Sequence, residues 1–130
     1  MTTNRWIRGA CIAAAFFMAA MIFLRADTGA GVSLPAPWDK AAHFLYYGSM
    51  ALLLAHGVGR RWLWIPLVLV PVIGAADEWH QAGIPGRDSS IFDWLADELG
   101  TVAFVAAYWW ATKRRETREK VKGESKGLRD

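Results

Sequence analysis

Apolar residues fill four long blocks of the sequence, and short polar or Gly/Pro segments separate these blocks. Each block is as long as a helix and apolar nearly all round. A soluble domain of 130 residues cannot bury four such helices. The pattern therefore predicts an all-α fold, a four-transmembrane-helix bundle, with helices over residues 9–24, 38–57, 62–81 and 91–112.

The first block also resembles a signal peptide, because a basic start precedes its apolar run. Ala19–Ala20 or Ala26 would lie near a cleavage point. The run is long for a signal peptide and lacks a clean small-x-small site. With Trp6 and Ile7 it approaches the roughly 20 residues that a spanning helix needs. The sequence therefore favours a retained helix.

Between the first two blocks, residues 28–37 form a Gly/Pro loop without helical periodicity. Beyond the fourth block, charges of both signs alternate at helical spacing, which is typical of a helix in water. We therefore predict a membrane domain over residues 1–112 and a basic cytoplasmic tail, helical or disordered, over residues 113–130. The tail is also expected to touch anionic lipid headgroups.

Tryptophan and charge set the orientation. The eight tryptophans all lie within a few residues of a predicted helix end, as expected of aromatic belts at membrane interfaces. Twelve of the 15 Lys and Arg residues lie at the N-terminus, in the second connection or in the tail, while eight of the twelve acids lie on the other side. The positive-inside rule then places both termini in the cytoplasm and the chain in the bacterial cytoplasmic (inner) membrane. The basic residues on the cytoplasmic side also explain the pI near 9.3, so the sequence predicts no nucleic-acid partner.

Residues 77–100 carry an unusual density of ionisable side chains for so apolar a chain. Such groups cost about 2.5–3.5 kcal/mol each at full membrane depth and persist mainly where they pair or function. Three predicted helices each present a polar stripe at helical spacing, and we expect the stripes to face one another around a shared pocket. Their members are Asp39, His43 and Tyr47; Gly74, Glu78 and Gln81; and Asp93, Asp97 and Gly100. Gly100 would allow a neighbouring helix to approach closely.

The order of these residues resembles the VanZ-like family of small bacterial membrane proteins. The similarity lies in D-K-x-x-H-F-x-x-Y from Asp39, E-x-x-Q from Glu78, and G-R-x-x-S-x-x-D-x-x-x-D-x-x-G from Gly86, and it covers residues 39–108. The family often has Asn at the position of Asp97 and a small residue at that of Asp88. The resemblance implies a membrane fold and a link to glycopeptide (teicoplanin) resistance, and it implies no reaction.

We therefore expect an outward-facing pocket that recognises an envelope or lipid-linked anionic component. In this hypothesis Arg87 binds a phosphate or carboxylate through its planar fork. The residues that orient Arg87 and His43 and shape the pocket are Glu78, Gln81, Asp93 and Asp97. Ser89 or Ser90 caps the fourth helix. The candidate binding residues are Asp39, Lys40, His43, Tyr47, Glu78, Gln81, Arg87, Ser90, Asp93 and Asp97.

Other roles remain open for the same side chains. Arg87 could instead form a structural ion pair with Asp93 or Glu78, and the whole chain could be a structural partner of another membrane protein. Asp93 and Asp97 could titrate as a proton-coupled pair in a transporter, although four spans without an inverted repeat are few.

Enzymatic and metal chemistry are less well marked in the sequence. Glu78 and His43 could act as acid and base in a membrane-surface hydrolase or transferase, but no nucleophile or other catalytic residue stands out. A zinc site of the His/carboxylate type could be formed by His43, His80, Glu78 and Asp39. Because no H-E-x-x-H or comparable spacing occurs, the sequence predicts no metal and no cofactor.

Overall fold

The computed structural model describes residues 4–27, 35, 37–84 and 89–127, without the side chains of residues 26, 27, 126 and 127. The described residues form four α-helices, and a short 3-10 helix lies between α2 and α3. The bounds are α1 Arg5–Asp27, α2 Trp38–Val58, α3 Trp64–Ala82 and α4 Ile91–Gly127, with the 3-10 helix over Arg60–Trp62. The all-α class and the number of helices are thus confirmed.

The helices lie side by side with alternating direction along the chain. The side chain of Arg8, near the start of α1, reaches the carbonyls of Gly57 and Val58 at the end of α2. Glu78, near the end of α3, accepts a hydrogen bond from the backbone of Ser90, which precedes α4. The starts of α2 and α4 and the ends of α1 and α3 therefore share one end of the bundle.

A narrow core of small and medium side chains joins the helices. Its central members come mainly from α2, with Ala15 and Ala19 from α1, Val70 from α3 and Val105 from α4. The buried residues of α3 are Pro66, Val70, Gly74 and Asp77, which recur every three or four positions along one face. Asp77 is the last residue on this inward face of α3, so it lies between α3 and the other helices.

At Gly100, α4 packs closely against the backbone of α2. A Cβ atom added there would lie against the backbone of Phe44, 2.9 Å from its carbonyl carbon and 3.1 Å from its Cα. No real Cβ sits so near a backbone, so only glycine fits this crossing. The expectation that Gly100 permits close helix approach is confirmed.

The helix ends differ slightly from those predicted. The first helix begins at Arg5, ahead of its apolar run, and the third begins two residues later than predicted. The fourth continues without interruption to Gly127, because the alternating charges of its last turns are compatible with a solvated helix. The predicted loop at 28–37, apart from Pro35 and Pro37, and residues 128–130 lie outside the described residues.

Much of the apolar surface faces outward. Seven of the eight tryptophans are exposed, as are large aliphatic and aromatic side chains along every helix, among them Phe17, Val72 and Leu99. Among the described helices, α1 over Arg5–Arg25 is long and apolar enough to cross a membrane by length and composition, a property that signal sequences share. The acids of α3 and α4 lower the mean hydropathy of those helices.

Candidate functional site

Polar side chains from α2, α3 and α4 meet at one end of the bundle, which we call the polar end. The three predicted stripes converge there, through Asp39, His43 and Tyr47 of α2, Glu78 of α3, and Asp93 and Asp97 of α4. The polar end consists of Asp39, Lys40, His43, Tyr47, Asp77, Glu78, Ser90, Asp93 and Asp97.

His43 and Asp97 form the innermost contact between α2 and α4 at this end. Nδ1 of His43 lies 2.9 Å from Oδ1 of Asp97, whose side chain is only 1% exposed. The other oxygen, Oδ2 of Asp97, has no hydrogen-bond partner among the described residues. A buried carboxylate that binds Nδ1 fixes the orientation of the imidazole and leaves Nε2 for another partner.

Tyr47 and Asp77 form a second buried pair, between α2 and α3. The Tyr47 hydroxyl donates a hydrogen bond of 2.9 Å to Oδ2 of Asp77. The ring of Tyr47 also stacks on that of His43, with 6.0 Å between the centroids, so the two pairs adjoin. The sequence did not predict Asp77 as a binding residue, because the stripe predicted for the third helix follows the four-residue spacing from Gly74 to Glu78. Asp77 follows Gly74 by three residues, and this spacing also places two residues on the same face of a helix.

Lys40 bridges two carboxylates at the rim, in the first turn of α2. Its Nζ lies 2.9 Å from Asp39 and 3.1 Å from Asp93, which joins α2 to α4. The two carboxylates therefore already balance the charge of Lys40.

Glu78 holds the start of α4 against the end of α3. Its Oε2 accepts a hydrogen bond of 2.8 Å from the backbone N–H of Ser90. The hydroxyl of Ser90 in turn accepts the N–H of Phe92 at 3.2 Å, so the predicted N-cap is confirmed at Ser90. Gln81 is half-buried in the last turn of α3, where its carbonyl accepts the N–H of Ile84.

Two further residues, Arg87 and His80, are singled out by the sequence near this group. Arg87, the proposed anion-binding residue, lies outside the described residues, as does Asp88. His80 packs its ring 5.7 Å from that of Phe23 on α1. The only cation described in direct contact with the carboxylates of the polar end, histidine apart, is Lys40.

The opposite end of the bundle, the basic end, has the reverse charge. The guanidinium of Arg8 caps α2 by donating to the carbonyls of Gly57 at 2.7 Å and Val58 at 2.8 Å. Cations stand over exposed tryptophan rings, with Lys113 4.7 Å from the Trp109 centroid and Arg114 close to Trp110. Its members are Arg5, Arg8, Arg60, Arg61, Lys113 and Arg114.

The chain therefore has an acidic end and a basic end, with apolar helix surface between them. No family model, curated protein or solved structure matches the chain. The VanZ-like resemblance accordingly stays a prediction from the motifs of residues 39–108.

Proposed function

We propose that the chain is a VanZ-like multi-pass protein of the bacterial cytoplasmic membrane, with four spans and with the polar end facing outward. The exposed apolar surface between the two ends supports this proposal, since a soluble bundle would bury such side chains. The exposed tryptophans beside cations at the basic end fit an interface with cytoplasmic headgroups. The packing of Ala15 and Ala19 in the core favours retention of α1.

In this proposal the polar end binds an anionic component of the envelope, such as a lipid-linked phosphate. The observation that carries it is the convergence of ionisable side chains from three helices at one end of an apolar bundle. Ionisable groups at such depth are costly to insert, and a ligand-binding role explains their retention. Glycopeptide resistance would then follow from altered handling of an envelope precursor.

Impermeant thiol labelling tests the topology. In a variant whose single native cysteine is removed (Cys11→Ala), a cysteine at Gly83 should react from outside intact cells only. A cysteine at Gly123 should react only after the membrane is permeabilised, because α4 would carry it into the cytoplasm. Reaction of both positions from the same side would contradict the four-span arrangement.

Substitution of Arg87 tests whether this residue binds an anionic ligand. Arg87→Lys keeps the charge and loses the planar pair of donors, so binding of a polyprenyl phosphate in detergent should fall at least about tenfold. The melting temperature should stay at the wild-type value. Arg61→Lys, an exposed change at the basic end, is the matched control and should affect neither quantity. A lower melting temperature with proportionate loss of binding would instead identify Arg87 as a structural clamp.

A second candidate, a membrane-surface hydrolase or transferase, has one observation in its favour. The hydrogen bond between Asp97 and Nδ1 of His43 orients the imidazole as a general base requires. Turnover of a lipid-linked phosphate by the purified protein, lost in His43→Gln with binding retained, would favour this enzyme over a binding protein.

A further inference from the structure

Three side chains of the polar end, one from each of three helices, come together in a way that the sequence spacing does not show. A ring nitrogen of His43, a carboxylate oxygen of Glu78 and one of Asp93 all lie within 4.8 Å of one another. All three residues are half-buried, so the group is partly accessible to solvent. The earlier zinc hypothesis had His80 and Asp39 where the structure has Asp93.

Each of the three side chains is held through one atom and keeps another for a ligand. Asp97 binds Nδ1 of His43, the Ser90 N–H binds Oε2 of Glu78, and Lys40 binds Oδ1 of Asp93. Nε2 and the second oxygen of each acid remain. Outer hydrogen bonds of this kind orient metal ligands in proteins, and a carboxylate bound to the distal nitrogen of a ligating histidine is the usual form.

Charge and burial give an independent reason to expect a cation here. The side chain of Asp97, which is 1% exposed and hydrogen-bonded to His43, has an oxygen without a hydrogen-bond partner among the described residues. The same is true of Oδ1 of Asp77, next to Glu78 in the chain. Buried carboxylate oxygens without donors are costly, and a nearby divalent cation would compensate for their charge.

We propose that His43, Glu78 and Asp93 bind a divalent transition-metal ion, with Asp97 as the positioning residue for the imidazole. One imidazole and two carboxylates suit Zn²⁺ or Mn²⁺ better than Mg²⁺ or Ca²⁺, which prefer oxygen alone. Atoms bound to one zinc ion at about 2.0–2.2 Å cannot lie more than ~4.4 Å apart. The three atoms, which lie within 4.8 Å of one another, would therefore have to move closer together when the ion binds.

A bound metal ion would also explain how an acidic pocket can bind an anion. This part of the inference rests on the proposed function. The described residues of the polar end include more acids than bases, and Lys40 is already paired with two of the acids, so these residues by themselves would repel an anion. Three protein ligands leave at least one position open on the ion. A phosphate oxygen of the envelope component would occupy that position, and the ion would thereby convert an acidic pocket into an anion site.

Metal titration of the purified full-length protein tests the site without any lipid. After treatment with a chelator, the protein should take up one Zn²⁺ or Mn²⁺ per chain by calorimetry and elemental analysis. His43→Gln, Glu78→Gln and Asp93→Asn should each lose the bound ion, and Asp97→Asn should weaken binding about 10–100-fold. His56→Gln, at the other end of α2 against Tyr108, is the matched control and should bind as wild type does.

A wild-type protein that is folded by circular dichroism and binds neither ion would overturn the site. Unchanged stoichiometry in all three ligand variants would do the same. If a variant does not fold, the melting temperature of the wild type decides: it should rise with added Zn²⁺ or Mn²⁺ and fall back with chelator, and no change would overturn the proposal.

Binding of a polyprenyl phosphate with and without chelator separates this inference from the proposed function. Lipid binding that requires the ion supports both. Metal uptake without lipid binding supports the site and contradicts the proposed ligand. Lipid binding by a protein that takes up no metal overturns the site and leaves the proposed function intact.

Discussion

Gly100→Ala is expected to lower the free energy of unfolding by about 3 kcal/mol, the upper end of the range for over-packed cores. The new methyl group would overlap backbone atoms of Phe44, which cannot move away by a change of side-chain rotamer. The helices α2 and α4 would have to separate, and the His43–Asp97 contact one turn away would be stretched. Unfolding in detergent, followed by circular dichroism, measures the effect.

Gly123→Ala is the matched control for this change. It lies on the same helix, and a Cβ atom there would meet nothing within 4 Å. Since alanine favours helix over glycine by up to about 1 kcal/mol, this variant should be as stable as the wild type or slightly more so. Equal stability of both variants would show that α2 and α4 do not approach as closely as described.

Asp97→Leu should lower both thermal stability and function more than Asp97→Asn does. Leucine removes the acceptor for His43 Nδ1, which costs about 1–3 kcal/mol for a buried donor. It also adds bulk where Oδ2 of Asp97 already lies 3.1 Å from the position of a Cβ on Gly74. Asparagine has nearly the shape of aspartate and keeps an acceptor oxygen, so its cost should be about 1 kcal/mol or less.

Thermal melting in detergent ranks Asp97→Leu and Asp97→Asn by stability, and binding of a polyprenyl phosphate ranks them by function. The inverse order in stability would mean that Asp97 faces lipid. Wild-type stability of Asp97→Asn together with a complete loss of function would mean that the negative charge or a proton on Asp97 is essential, beyond the hydrogen bond. Leu99→Asn, on the exposed face of α4, serves as the control for a polar change outside the site.

The helices were predictable because their signals are local. Long apolar blocks, the Ser90 cap and the glycines at the end of α2 determine where helices begin and end. The 3.6-residue period also brought His43 and Asp97 to the faces where they meet. Pairing across helices depends instead on their rotation and depth, which a single sequence does not specify.

Asp77 and Asp93 illustrate what was missed. The inward face of α3 passes through Gly74 and Asp77, a spacing of three that fits the helical period as well as the spacing of four to Glu78. The grouping of Asp93 with His43 and Glu78 depends on the crossing at Gly100, which fixes the depth of α4 against α2. No motif along the chain encodes that distance.

The uninterrupted length of α4 has a mechanical consequence. Its 37 residues make a rod of roughly 55 Å at about 1.5 Å per residue, well beyond a hydrocarbon layer of about 30 Å. In the proposed orientation residues 113–127 form a helical arm that holds Gly127 ~20 Å from the bundle. Because the arm is continuous with the turn that carries Asp93 and Asp97, a tilt of α4 at one surface of the membrane would swing its tip at the other.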